Sequence, residues 1–187
     1  MEKQIIIVVI FAIFLLAAII PRIIQKRKRI ETVGCIGIDK RIFILGKISL
    51  FTSFILILVQ LFFVNLSLFE TKEIYYWVCV ALLGMGVIFF TLAIIGLGTF
   101  SLRVGLAQEE TALRTTGVYG VSRNPMLLGL YLMALGSAVY VQNPINWILV
   151  IIALTIHHKI ILAEEISMQN RFGEQCPGCL IVSQISE

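Results

Sequence analysis

Charge is what this chain has least of. Only 14% of its 187 residues are Asp, Glu, Lys or Arg, against 59% hydrophobic. A soluble domain of this length must leave much of its surface in water, and it cannot keep that much apolar material out of contact with it. Lipid must therefore solvate a large part of the chain. The expectation is an all-α polytopic membrane protein with one compact membrane domain, not a soluble enzyme.

Cysteine is nearly as scarce. Cys35, Cys79, Cys176 and Cys179 are too few and too scattered for a disulfide framework. Several motifs are missing as well: no G-x-x-x-x-G-K-[ST] phosphate loop, no nucleophile elbow and no internal repeat. The basic run QKRKR at 25–29 has no interleaved aromatics and no soluble module around it, which argues against nucleic-acid binding. It reads instead as a cytoplasmic flank beside anionic headgroups. No cleavable leader is expected, because the run 5–20 has a neutral start, no small-x-small site and its basic flank on the far side.

Long apolar runs are what the chain does have. Residues 5–20, continued by Ile23 and Ile24, read as a first span ended by Pro21 and the basic cluster. A second runs over about 42–69, long enough to suggest tilt, with Ser49, Thr52, Ser53, Gln60 and Asn65 as helix–helix contacts. The third, 77–99, follows an aromatic belt at Tyr75, Tyr76 and Trp77 and carries GMG at 84–86 and GLG at 96–98. These small residues suit close helix approach, or, at Gly96 and Gly98, room for a ligand. After the polar stretch 100–122 come spans at 125–142 and 146–163. They are joined by QNPIN, which is too short for anything but an antiparallel hairpin, and a polar tail follows from 164 to 187. With the N-terminus outside, thirteen Lys and Arg fall on the cytoplasmic side and two, Lys3 and Lys72, on the other. Five spans, N-out and C-in, are expected.

In that topology two polar places meet at the cytoplasmic face. One is Arg123-Asn124 at the start of the fourth span; the other is Glu164-Glu165 at the end of the fifth. Pro125 suits the first turn of a helix, and the amides there with Arg123 beside them suit an anion such as a carboxylate. The two glutamates would meet an amine, a hydroxyl or a cation. The pocket is therefore expected to take a ligand of mixed charge. The plainer alternative is an Arg–Glu pair at an interface with no ligand.

Residues 117–129, GVYGVSRNPMLLG, resemble the Gly-x-Tyr-x-x-x-Arg-(His/Asn)-Pro-x-x-x-Gly signature of the membrane methyltransferases. That superfamily holds isoprenylcysteine carboxyl methyltransferase and the phospholipid N-methyltransferases. The similarity runs from about 96 to 175, taking in QNPIN and AEEISMQNRFGEQ. It implies an S-adenosylmethionine-dependent enzyme whose lipidic or prenylated acceptor enters from the bilayer. By the resemblance, Thr111, Ala112, Leu113 and Arg114 line the cofactor and Tyr119 packs on it. Asn124, Pro125, Met126 and Leu127 hold it, and Glu164 binds its polar groups. Arg123 contacts its carboxylate or orders the loop. Residues 1–99 then form a three-span scaffold, and 100–187 the cofactor-binding region.

The chain departs from the carboxyl methyltransferase pattern at several places. Asn124 stands for His, Leu127 for Tyr, and Ile160 for an Arg four residues before the glutamates that contacts the acceptor. His158 or Lys159 could take over from that Arg. Cys176 and Cys179 replace tyrosines; their Cys-x-x-Cys spacing also fits a redox or metal pair, though one pair is half a zinc site. His157-His158 point to different helix faces and read as interfacial, so no metal centre is expected. Methyl transfer from a sulfonium is an in-line displacement that needs mainly alignment and exclusion of water. A carboxylate or thiolate acceptor needs no base, whereas an amine needs one, for which Glu165 or His158 would serve. The competing readings are a phospholipid amine acceptor and a non-catalytic membrane protein that keeps the fold. A transporter would need polar groups deep within several spans, and these are scarce.

Overall fold

The computed structural model describes residues 2–27, 39–69, 72–97, 117–122 and 124–172, and among these there is no strand. Six helices follow in order: α1 Glu2–Arg27, α2 Lys40–Phe62, α3 Glu73–Leu97, α4 Val118–Val121, α5 Pro125–Val141 and α6 Pro144–Phe172. Segments Lys3–Ile23, Lys40–Phe62, Glu73–Gly96 and Pro144–Ala163 are long and apolar enough to cross a membrane. Their outer faces carry large apolar side chains with no protein cover, among them Leu16, Phe51, Ile88 and Ile151, as lipid-facing helices require. The protein is an all-helical integral membrane protein.

The structure moves several boundaries. Pro21 does not end the first span: α1 runs through it to Arg27. Proline removes one backbone donor, and neighbouring groups in membrane helices commonly make good that loss. The second span stops at Phe62 instead of continuing to 69. There the amides of Phe63 and Val64 both donate to the Val59 carbonyl, and the Asn65 side chain accepts from the amide and hydroxyl of Ser67, making a turn. The first part of the polar tail is helical, because α6 continues to Phe172. Helix α5, with 17 residues, is about 25 Å long and falls short of a hydrocarbon core of about 30 Å.

The connection between α5 and α6 is the tight turn that QNPIN implies. Gln142 takes a left-handed conformation, φ 47° and ψ 40°, and the Asn143 side chain accepts from the Ile145 amide at 2.9 Å. The hairpin's helices nevertheless find their main partners elsewhere. α5 packs most extensively on α3, and α6 on α2. Glycine explains the first pairing. A Cβ at Gly129 would stand 2.5 Å from the Gly86 carbonyl oxygen, and one at Gly86 would stand 2.6 Å from that of Gly129. Backbone lies on backbone there, the close approach small residues permit between membrane helices. Gly86 is the second glycine of GMG and Gly129 closes the 117–129 signature. The core around them is apolar, with Phe14 edge-on to both Phe54 and Phe90.

Candidate functional site

Pairwise contacts fix which helix ends lie together. Lys3 reaches Glu73 and Tyr76, Gln4 reaches Leu61, and Asn143 reaches Leu66, so the starts of α1, α3 and α6 share one end with the finishes of α2 and α5. The opposite end gathers the finishes of α1, α3 and α6, the starts of α2 and α5, and the short α4. Counted from the turn, Ile160 on α6 comes level with Pro125 on α5, and the backbone of 164 and 165 lies about one turn further along α6.

The signature is built around this second end. Gly117 adopts φ 68° and ψ −133°, a conformation that disfavours any residue with a Cβ, and from it the chain enters α4. Tyr119 then lies along α3. Its hydroxyl donates to the Ala93 carbonyl at 3.0 Å, and its ring edge would be 3.2 Å from a Cβ at Gly96. Gly96 thus makes room for Tyr119. Asn124 is the N-cap of α5, its amide donating to Ser122 Oγ at 3.3 Å and its Oδ1 accepting from the Leu127 amide at 3.4 Å. Pro125 follows at the first helical position, buried and with no N–H. The Leu128 amide donates to the Asn124 carbonyl. Among the described residues, that leaves the Met126 amide, of the first-turn donors, for an acceptor from outside the helix. Met126 is half-buried against the core and Leu127 is buried, so both present backbone more than side chain to this end.

On α6 the two histidines part company. His157 is buried and its Nδ1 lies 2.8 Å from the Ala153 carbonyl oxygen; a carbonyl can only accept, so Nδ1 carries the proton and Nε2 is left as an acceptor in the neutral ring. Gly46 on α2 leaves space for Ile156, whose Cγ2 would be 2.7 Å from a Cβ there, and the His157 ring lies beside it with Cε1 at 3.4 Å. His158 and Lys159 are exposed. Ile160 is buried against Phe43 and Ile156, and neither His158 nor Lys159, both exposed, is part of that cluster. His157 as the inward ring is not among the residues the sequence singles out, and Lys47 enters there only as one of the thirteen Lys and Arg of the cytoplasmic side. The i, i+4 relation of Phe43 and Lys47 was the available signal.

Arg123, Thr111, Ala112, Leu113, Arg114, Gly98, Cys176 and Cys179 lie outside the described residues, as do the side chains of Glu164 and Glu165. Among the described residues no group of three metal-ligating side chains occurs.

The profile of a family described as phospholipid methyltransferase matches residues 74–175, more than half of the chain. The match opens at the head of α3, so it takes in a helix that the sequence reading had assigned to the scaffold. No match is found among curated proteins or among solved structures.

Proposed function

The chain belongs to the phospholipid methyltransferase family, and on that premise we propose that it transfers a methyl group from S-adenosylmethionine to the amine of a membrane phospholipid. One observation carries the reading. The matched helices α3, α5 and α6 bring Tyr119, Asn124 and the end of α6 to one end of the bundle, where the Met126 amide is available to an anion. That donor set suits the carboxylate of an amino-acid-derived cofactor. Thr111–Arg114, Tyr119, Asn124, Pro125, Met126 and Leu127 would hold it, with Arg123 at its carboxylate and Glu164 at its polar groups. When bound, the cofactor supplies an electrophilic methyl group.

The chain's own contribution is alignment, exclusion of water and removal of one proton from the amine. Glu165 is the proposed acceptor of that proton. An amine fits better than a prenylcysteine carboxylate because the α6 position that would meet a carboxylate is Ile160, held among Phe43 and Ile156. The excess of Lys and Arg on this side supports a cytoplasmic orientation for this end. The short α5 supports a site set below the headgroups, where a cofactor from water and an acceptor from lipid could meet. Incubating the purified protein with labelled methyl donor and native lipid, followed by mass spectrometry of the product, tests the reading. Label on a phospholipid amine is expected; label on a carboxyl group alone, or none with the fold intact, would overturn it.

A further inference from the structure

Lys47 sits within a candidate membrane span, where a bare ammonium is costly and normally has a partner. It is half-buried on α2, and its stem runs one turn back toward the start of the helix, placing Nζ 4.2 Å from the centre of the Phe43 ring. Arg22, exposed near the end of α1, is close enough for its charge to act on that ammonium, and Lys47 in turn acts on His157. The end of α1, the start of α2 and α6 thus bring two cations and a histidine to one end of the bundle, with the His157 ring against Gly46 beside Lys47, and no described carboxylate is paired to them. Asp39 uses Oδ1 to accept the Arg41 amide at the head of α2, and the ion pair among the described residues, Lys3–Glu73, is at the far end of the bundle. Two neighbouring cations repel each other until an anion lies between them.

We propose that Lys47, assisted by Arg22, holds the phosphodiester of the lipid acceptor at the Asn124 end of the bundle. The inference rests on the reading of the acceptor as a phospholipid and adds the group by which it is held. An ammonium reaching back from inside a span toward the helix start meets the bilayer at the depth of lipid phosphates, and a singly charged phosphodiester relieves the repulsion between the two cations. His157 beside it, with Nδ1 committed to Ala153, adds an acceptor and no further charge while neutral. Both cations lie outside residues 74–175, so the part of the chain that the family profile does not cover carries acceptor recognition.

Native mass spectrometry of the full-length protein in detergent tests this with dioleoyl phosphatidylethanolamine, dioleoylglycerol and inorganic phosphate as probes. The wild type should retain one phosphatidylethanolamine and no dioleoylglycerol, and inorganic phosphate should not displace the lipid. Lys47→Met should weaken retention about tenfold or more, as loss of a charged hydrogen bond does; Lys47→Arg should restore it, and Lys40→Gln should leave it unchanged. Equal retention of dioleoylglycerol, undiminished binding by Lys47→Met, or an equal loss in Lys40→Gln would overturn the site. Displacement by inorganic phosphate would assign it to a soluble anion and overturn the lipid assignment. If Lys47→Met does not fold, Arg22→Gln takes its place: a smaller loss supports the site and no loss overturns it. Calorimetry with S-adenosylhomocysteine on the same samples separates the two claims. A wild type that keeps the lipid but does not bind the cofactor analogue refutes methyl transfer alone, and the reverse refutes the phosphate site alone.

Discussion

The two ends of the helix bundle are built on different principles. At the Asn143 end, polar groups tie helix to helix. Lys3 pairs with Glu73 at 2.6 Å, Tyr76 donates to the Lys3 carbonyl, Gln4 to Leu61, Gln60 to Tyr140 and Asn143 to Leu66. At the Asn124 end, the inter-helix hydrogen bond that the described residues show is Tyr119 to Ala93. What gathers there instead is an N-cap, the Met126 amide, a buried histidine whose Nδ1 is held by the Ala153 carbonyl, and the cations Lys47 and Arg22, to which no described carboxylate is paired. Among the described residues, the first end spends its polar side chains on contacts between helices, with Gln60 Oε1, Gln142 Oε1 and Asn146 Oδ1 left over, and the second end spends few on such contacts. The difference separates holding from working, and each prediction below presses on it from one side.

The largest effects belong at the working end, and they should fall on binding and not on stability. Arg123→Ala or Glu164→Ala is expected to weaken S-adenosylhomocysteine about tenfold or more by calorimetry, and to slow methyl transfer about 100-fold. Thermal unfolding in detergent should stay near wild type. A large drop in melting temperature with cofactor affinity unchanged would assign these residues to the scaffold. Next comes Gly129→Ala, which sits in the same signature but belongs to the scaffold by its contacts. Its new Cβ would meet the Gly86 carbonyl and the Phe90 amide, backbone atoms that cannot swing aside. The expected cost is about 1–3 kcal/mol of stability, read as earlier unfolding. If Gly129→Ala instead lost cofactor affinity at unchanged stability, the glycine would serve the pocket and the division of labour would fail.

Much of this architecture could be read from the residues because lipid imposes simple rules. Apolar length located the spans, Asn124-Pro125 located the start of α5, and GMG announced close packing, whereas α6 begins at Pro144, inside the expected turn. Gly86 indeed faces Gly129, while a Cβ at Gly84 would meet nothing within 4 Å. What stayed hidden was whatever depends on one helix turning a particular face to another. Ser53 is 84 residues from Ser137, and it joins Ser137 and Asn146 in one cluster only when α2 meets α5 and α6. His157 and His158 look alike in the sequence, and only the packing of α6 on α2 buries the first and exposes the second. Continuation of α1 through Pro21 was unreadable for a related reason. A proline in the sequence shows the donor it removes but not the neighbours that compensate for it.

That buried cluster gives a smaller effect on the holding side. Ser137 donates to the Ser53 carbonyl at 2.8 Å, leaving Ser53 Oγ to donate back at 2.7 Å while Asn146 Nδ2 donates at 2.8 Å. Its hydroxyl therefore uses its one proton and both lone pairs, bridging three helices. Ser137→Ala removes all of this in a fully buried position and strands Asn146 Nδ2, whose own Oδ1 already lacks a partner among the described residues. Even so, the loss should be only about 1 kcal/mol, because polar groups of an unfolded chain in lipid find other partners. Ser137→Ala combined with Asn146→Leu should recover part of the deficit, since the second change removes the stranded donor. Cofactor-analogue affinity should not move in either variant.

The smallest effect should come from Lys3→Gln, although the pair it breaks, at 2.6 Å, is among the shortest polar contacts at the holding end. Both side chains are largely in solvent, at 56% and 66% exposure, so water and salt already screen most of the attraction. Tyr76 also holds the same segment through the Lys3 backbone carbonyl, a bond that the substitution leaves in place. Thermal unfolding should therefore be indistinguishable from wild type at physiological ionic strength. A clear loss of stability that disappears in high salt would show that the ion pair, and not the buried polar groups, ties this end together. Hydrogen exchange of the α1 and α3 starts, compared between Lys3→Gln and Ser137→Ala, decides which kind of contact the holding end depends on.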